Sequence, residues 1–207
     1  MSTIFYIARH GQSVGNVSGD IMGGDPPLTE LGLEQASALA DLFKSTKINR
    51  VFASNLIRAR QTAQAIADQQ GLELEIDSRL KERSFGSLEG QTANYFSTNF
   101  QAEIDQFRNG SLTEQMAWKV VEDMESFSQL LDRVLPFFND FDGNSQEENI
   151  LLVTHANVIL ALLGHFAFVN SYRELPYGSI QNTSYLKIRK QAKNFEIIET
   201  LGISKKK

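Results

Sequence analysis

Apolar residues fall along this chain in two alternating rhythms. Short continuous runs (Ile4-Phe5-Tyr6-Ile7-Ala8, Arg50-Val51-Phe52-Ala53, residues 72–76 and Ile150-Leu151-Leu152-Val153) read as strands buried on both faces. Between them, apolar residues return every three to four positions. Thr29 caps one predicted helix, with Ala36, Leu39, Ala40 and Phe43 on its inner face. Leu56, Ala59, Ala63, Ile66 and Ala67 mark a second. A third is expected through Val120, Met124, Phe127, Leu131, Val134 and Phe138, kinked or ended by Pro136. Residues 158–168 are apolar nearly all round, which predicts a sandwiched helix. Two strands, near 184–188 and 195–199, are expected to pair at the sheet edge. Residues 88–118 lack a clean period and read as an inserted helical cap. The whole is one α/β domain over residues 1–207 with a mainly parallel sheet.

Composition narrows the function classes. The 207 residues include 42% hydrophobic positions, a net charge of −5, three histidines and no cysteine. Cysteine chemistry is excluded, and the negative charge argues against nucleic-acid binding. No apolar run is long enough to cross a membrane, and the first residues do not read as a leader, so a cytoplasmic location is the default expectation. Lys205-Lys206-Lys207 is expected to be a solvated, frayed end.

The chemistry gathers where strands stop. Arg9-His10-Gly11 follows the first strand, Ser54-Asn55-Leu56-Ile57-Arg58-Ala59 the second, and Thr154-His155-Ala156-Asn157 the fourth. If those strands are parallel neighbours, all three clusters converge on one crevice at the carboxyl edge of the sheet. Two histidines, two arginines and two helix N-termini there would suit a tetrahedral oxyanion. Glu82, just past the third strand, adds a carboxylate. Among cations its pKa would fall, so a role as an acid requires burial or a bound dianion beside it.

These segments resemble the histidine phosphatase superfamily, the phosphoglycerate mutase-like family. They are Arg9-His10-Gly11-Gln12-Ser13-x-x-Asn16, Leu28-Thr29-x-x-Gly32-x-x-Gln35-Ala36, Ser54-x-Leu56-x-Arg58-Ala59-x-x-Thr62, Glu82-Arg83-x-Phe85-Gly86-x-x-Glu89-Gly90 and Thr154-His155, in family order. The resemblance implies a three-layer α/β/α sandwich. It implies that His10 is the phosphorylated nucleophile, that Arg9, Arg58 and His155 hold the phosphoryl oxygens, and that Glu82 protonates the leaving group. Asn16, Ser13, Gly11, Arg83, Ala156 and Asn157 match substrate-contact positions. No metal or other cofactor is implied, and the partner is a small-molecule phosphate ester, with a homodimer left open.

Within the family, phosphatases give the phosphoryl group to water and mutases return it to a sugar acid. Residues 91–118 hold Arg108 against Glu103, Asp105 and Glu114, a balance that disfavours a bisphosphate and favours an apolar or neutral leaving group. Arg83 and Asn157 match positions that mutases use, so the mutase is the second reading. A binding module without turnover is the third. Arg83 reads equally as a substrate contact or a surface charge. Phe96, Phe100, Phe107 and Trp118 read as packing ahead of a substrate wall, His165 as a structural histidine, Glu89 as a loop brace and Arg60 as a solvated charge.

Overall fold

The computed structural model describes residues 2–19, 21, 24–141 and 147–206. Lys207 and part of the loop at 19–27 fall outside that set. Strands β1 (Thr3–Arg9), β2 (Arg50–Ala53), β3 (Leu74–Ile76) and β4 (Glu148–Thr154) run parallel. β5 (Ile180–Gln191) lies antiparallel to β1, and β6 (Asn194–Ile203) antiparallel to β5. All six form one sheet in the order β3-β2-β4-β1-β5-β6.

The continuous apolar runs have a direct cause in this arrangement. Phe5 and Ile7 of β1 and Ile150 and Leu152 of β4 point into a core on one face. Ile4, Tyr6, Ala8, Leu151 and Val153 point into a core on the other. Side chains alternate between faces, and helices cover both, so no position on these strands is left for a polar residue. Helices α2 (Glu30–Phe43) and α3 (Ile57–Gln70) cover the second face. Helices α7 (Phe127–Asn139) and α8 (Ala156–His165) cover the first. The result is the three-layer α/β/α sandwich. Three short helices, α4 (Ala93–Asn99), α5 (Gln101–Asn109) and α6 (Leu112–Ala117), form the cap, and α1 (Val14–Ser18) follows the first strand's loop.

Several boundaries differ from expectation. α7 starts at Phe127, not near Val120, because Ser126 and Gln129 form a reciprocal capping box. Pro136 neither ends nor breaks it. It lies on the exposed side, where the carbonyl it leaves unbonded, on exposed Asp132, can face water. α8 stops at His165, and Ala167 then turns into the left-handed region at φ 55°. His165, expected to be structural or partly buried, is exposed and packs edge-on against Phe166. β3 begins only at Leu74. Of the last two strands, β5 lies inside the sheet and β6 is at an edge, with β3 at the opposite edge.

Candidate active site

The strand order β2-β4-β1 makes the three polar clusters neighbours. Backbone bonds lace them together. The His10 N–H donates to the Thr154 carbonyl (3.0 Å), and the Ser54 N–H donates to the Val153 carbonyl (3.1 Å). Gly11 is required by close approach. A Cβ there would sit 2.5 Å from the Gly32 carbonyl oxygen, at the start of α2. The Gly11 N–H donates to Thr62 Oγ1 (3.0 Å), so it is not free to reach a ligand. Ser13 is likewise spent on structure: it caps α1 through Asn16. Both were expected to touch substrate, and these internal bonds are contacts that the structure gives them.

His10 is buried, and its Nδ1 lies 2.6 Å from the Gly11 carbonyl oxygen. A carbonyl can only accept, so Nδ1 carries the proton, and the lone pair of the neutral ring is on Nε2. Burial, then the charges of Arg9 and Arg58, hold the His10 pKa well below the usual histidine value. The ring is therefore neutral at physiological pH. His155 is buried beside it, with ring centroids 5.1 Å apart. Its Nε2 is 2.6 Å from Ser54 Oγ, and its pKa is also held well below the usual value, first by burial.

Four buried nitrogens, Arg9 Nε, Arg58 Nε, Arg58 Nη1 and His155 Nδ1, have no hydrogen-bond partner among the described residues. Arg58 is in the first turn of α3, and its nearest carboxylate, Asp25, is 4.0 Å away. Asp25 instead accepts from the Ile57 N–H (2.6 Å), which caps a helix whose own N-cap residue, Leu56, has no polar side chain. Buried donors are ordinarily satisfied, and each failure costs about 1–3 kcal/mol. Such donors on residues whose charge or ring adjoins His10 fit an oxyanion.

Glu82 is buried, and burial raises its pKa against the pull of Arg58 and Arg9. Its Oε1 accepts from the N–H of Arg83 (2.9 Å) and of Asn157 (3.2 Å), at the start of α8. Oε2 is the oxygen left to hold a proton. The loop that carries Glu82 is fixed from α7: Arg133 Nη1 and Nη2 donate to the carbonyls of Arg79 (2.6 Å) and Glu82 (3.0 Å). Glu89 braces the following turn, accepting from Ser84 Oγ (2.9 Å) and the Phe85 N–H (3.1 Å).

A cavity of about 830 Å³ opens beside this cluster. Arg9, Asn16, Ala156 and Asn157 line it on the catalytic side. Asn16 Oδ1 is occupied by Ser13 and Asn182, so its Nδ2 is the donor available to a ligand. Phe96, Phe107 and Trp118 of the cap form part of the wall, together with Phe127, Leu160 and Tyr172. These cap aromatics face the cavity while Phe107 also packs on Trp118 and Phe127, and Phe100 packs on Phe96. Arg83 is not a surface charge. It is buried over the Phe127 ring (4.1 Å), donates to the carbonyls of Glu125 (2.6 Å) and Trp118 (3.0 Å), and its pKa is lowered by burial to about 10.

Ser54, Thr62, Arg133 and Asn182 were not singled out by sequence reasoning. Ser54 and Thr62 stand inside a recognised segment, but their hydroxyls act on partners 101 and 51 residues away. Asn182 Nδ2 donates to the His10 carbonyl (3.0 Å) from an irregular stretch of β5, where Thr183 has φ 56°. No local pattern announces that contact.

Comparison with known proteins agrees with the geometry. Residues 5–200 match the family model of the histidine phosphatase superfamily, branch 1, and the chain belongs to that family. Its members include phosphatases and mutases, and both kinds are among the relatives. A Hydrogenobacter thermophilus protein named provisionally phosphoserine phosphatase 2 is 36% identical over 76% of this chain and 75% of its own length. A Yersinia pestis protein named, again provisionally, phosphoglycerate mutase GpmB is 31% identical over 76% and 72%. Among solved structures, Bacillus stearothermophilus YhfR superposes with a TM-score of 0.81 at 25% identity, covering 97% of each chain. A mycobacterial glucosyl-3-phosphoglycerate phosphatase superposes with a TM-score of 0.79 at 23% identity, covering 94% of this chain and 96% of its own, a likeness of fold.

Proposed function

We propose that this protein is a phosphomonoesterase that works through a phosphohistidine on His10. The observation that carries the reading is the set of four buried donors, without a partner among the described residues, on side chains whose charge or ring adjoins a neutral histidine whose Nε2 lone pair is free. Nε2 attacks phosphorus, forming the N–P bond as the ester P–O bond breaks. Arg9, Arg58 and His155 hold the equatorial oxygens, and Asn16 adds a donor. Charge neutralisation and positioning of this kind are most of what phosphoryl transfer needs. The electron pair of the broken bond stays on the leaving oxygen, which takes the proton from Glu82. Glu82, now a carboxylate, draws a proton from water as that water attacks phosphorus. The N–P bond breaks as the new P–O bond forms, its electron pair returns to Nε2 of His10, Glu82 regains its proton, and inorganic phosphate leaves.

The cavity favours hydrolysis over mutase chemistry. Its arginines are Arg9 and Arg83, it has no lysine among its described lining residues, and much of its wall is aromatic. Arg83 already gives Nε and Nη2 to main-chain carbonyls. A second anionic group on the substrate would find little to pair with. An apolar or aromatic alcohol fits such a wall, whereas serine and glycerate are small and charged. The raised Glu82 pKa supports turnover over mere binding, because a binder has no use for a proton donor. The test is phosphate release across aryl, alkyl and sugar monoesters, with acid-quench trapping of label on His10. Absence of both in wild type overturns the reading. The place of Arg83 in the wall favours a mutase as the second reading. Interconversion of 3- and 2-phosphoglycerate, far faster than hydrolysis, would establish it.

A further inference from the structure

Lys205 and Lys206, expected to be frayed, are tied down; Lys207 lies outside the described residues. Lys205 Nζ donates to the Phe168 carbonyl, stands 3.4 Å from Glu174 Oε2 and lies 4.2 Å over the Phe168 ring. The Lys206 N–H donates to the Glu174 carbonyl (2.7 Å), and the Ser204 N–H to the Ser179 carbonyl (3.0 Å). Glu174 is the hub of this contact. Its Oε1 accepts from the N–H groups of Asn170 (2.7 Å) and Ser171 (3.2 Å), closing the turn over residues 170–174. The segment between residues 172 and 179 supplies Tyr172, Leu175, Pro176, Tyr177 and Ser179 to the cavity lining. On its inner side the same segment is held by the cap: buried Gln115 of α6 accepts from the Tyr172 N–H (2.8 Å) and donates to the Phe107 carbonyl (2.8 Å).

We infer that the Lys205–Glu174 clasp is a specificity device that sets the wall against which the leaving group packs. This rests on the phosphatase reading only for what the cavity holds. Neither residue lines the cavity or touches the catalytic cluster. Both act through the placement of Tyr172, Leu175 and Pro176. Loop geometry held by a few polar contacts is what decides how well an apolar ligand is enclosed. The phosphoryl-oxygen groups stand on other elements: Arg58 in α3, His155 at the start of α8, and Arg9 at the end of β1, where its Nη1 donates to the carbonyl of Ile180, held in β5 and not by the clasp. Small substrates should therefore not register its loss.

The test compares wild type with Lys205→Ala, Glu174→Gln and the conservative Lys205→Arg, using 1-naphthyl phosphate and glycerol phosphate. Trp118, the one tryptophan of the chain, lines the cavity and reports occupancy by its emission whether or not turnover occurs. Lys205→Ala and Glu174→Gln should each weaken naphthyl phosphate binding, read as Kd and as KM, by about fivefold. The kcat/KM for glycerol phosphate should stay within about twofold, and Lys205→Arg should restore binding. Equal losses on both substrates, or an unchanged Kd for naphthyl phosphate, would overturn the inference. So would a wild type whose Trp118 does not respond to naphthyl phosphate. Binding without phosphate release would instead sink the phosphatase reading, with the clasp still measured through Kd.

Discussion

Ser54 Oγ stands 2.6 Å from Nε2 of His155 and also accepts from the Leu56 N–H at 3.3 Å. With a lone pair engaged by Leu56, the hydroxyl has its hydrogen free for Nε2. His155 then carries its own proton on Nδ1, the buried nitrogen without a partner, and presents it as a donor. Ser54→Ala removes that selection and leaves Nε2 unsatisfied. We expect kcat/KM to fall about tenfold. Nitrogen NMR of the histidine ring should show a single Nδ1–H tautomer in wild type and a mixture in the variant. An unchanged tautomer in Ser54→Ala would remove Ser54 from the mechanism.

Glu82 and His10 are shifted in opposite directions, and both shifts serve the proposed first step. His10 must be neutral to attack, and its lowered pKa keeps it so until the pH drops well below the usual histidine value. Glu82 must be protonated to expel an alkoxide, and its raised pKa keeps the proton to higher pH than an ordinary glutamate. The rate should thus rise with pH through the His10 ionisation and fall through that of Glu82, a bell-shaped profile. Glu82→Gln should flatten the falling limb. It should cost about 10²–10⁴ in kcat with alkyl esters and far less with 4-nitrophenyl phosphate, whose leaving group needs no proton. Equal losses on both esters would argue against the assignment.

Arg58 is a buried cation whose only ion pair among the described residues is a long one to half-exposed Asp25 at 4.0 Å, a costly element in the empty protein. Arg58→Met should make the protein about 1–3 kcal/mol more stable without phosphate, because a buried charge with only a long ion pair and unsatisfied N–H groups is gone. It should also abolish the rise in melting temperature that inorganic phosphate gives wild type. Catalysis should fall by roughly 10²–10³, the usual cost of one oxyanion donor. Thermal melts with and without phosphate read the first two effects. A variant less stable than wild type in phosphate-free buffer would count against an anion site built at the expense of stability.

The layers and the central cluster were legible because each rests on a local signal. Continuous apolar runs such as Ile150-Leu151-Leu152-Val153 have one reading once both faces are covered. Polar residues at the ends of such runs are placed by the sheet itself, which is why His10, Arg58 and His155 meet. The first turn of α7 was misread because Val120 and Met124 continue the three-to-four spacing through a loop. The box of Ser126 and Gln129 that starts the helix is the stronger signal. The direction of an aromatic is not written in its spacing, so Phe107 and Trp118 gave no hint that they face the cavity. Lys205 looked like a frayed end because its partners, Phe168 and Glu174, lie more than 30 residues back in a turn with no period of its own.

Arg133 offers a test of how finely the Glu82 loop must be held. From α7 it makes a two-pronged pair with Glu125 (2.7 and 3.0 Å) while its other bonds fix the carbonyls of Arg79 and Glu82. Glu125 in turn accepts from the Ser84 N–H (3.1 Å), so one guanidinium organises both ends of residues 79–84. A lysine ammonium has no planar fork to span these partners, so Arg133→Lys should behave like Arg133→Ala. A displacement of Glu82 by an ångström would cost up to about 10²-fold in proton transfer. The loss should track the leaving group: large for alkyl esters, small for 4-nitrophenyl phosphate, with KM little changed. That pattern separates misplacement of Glu82 from general loosening of the fold, which would lower both activities together along with the melting temperature.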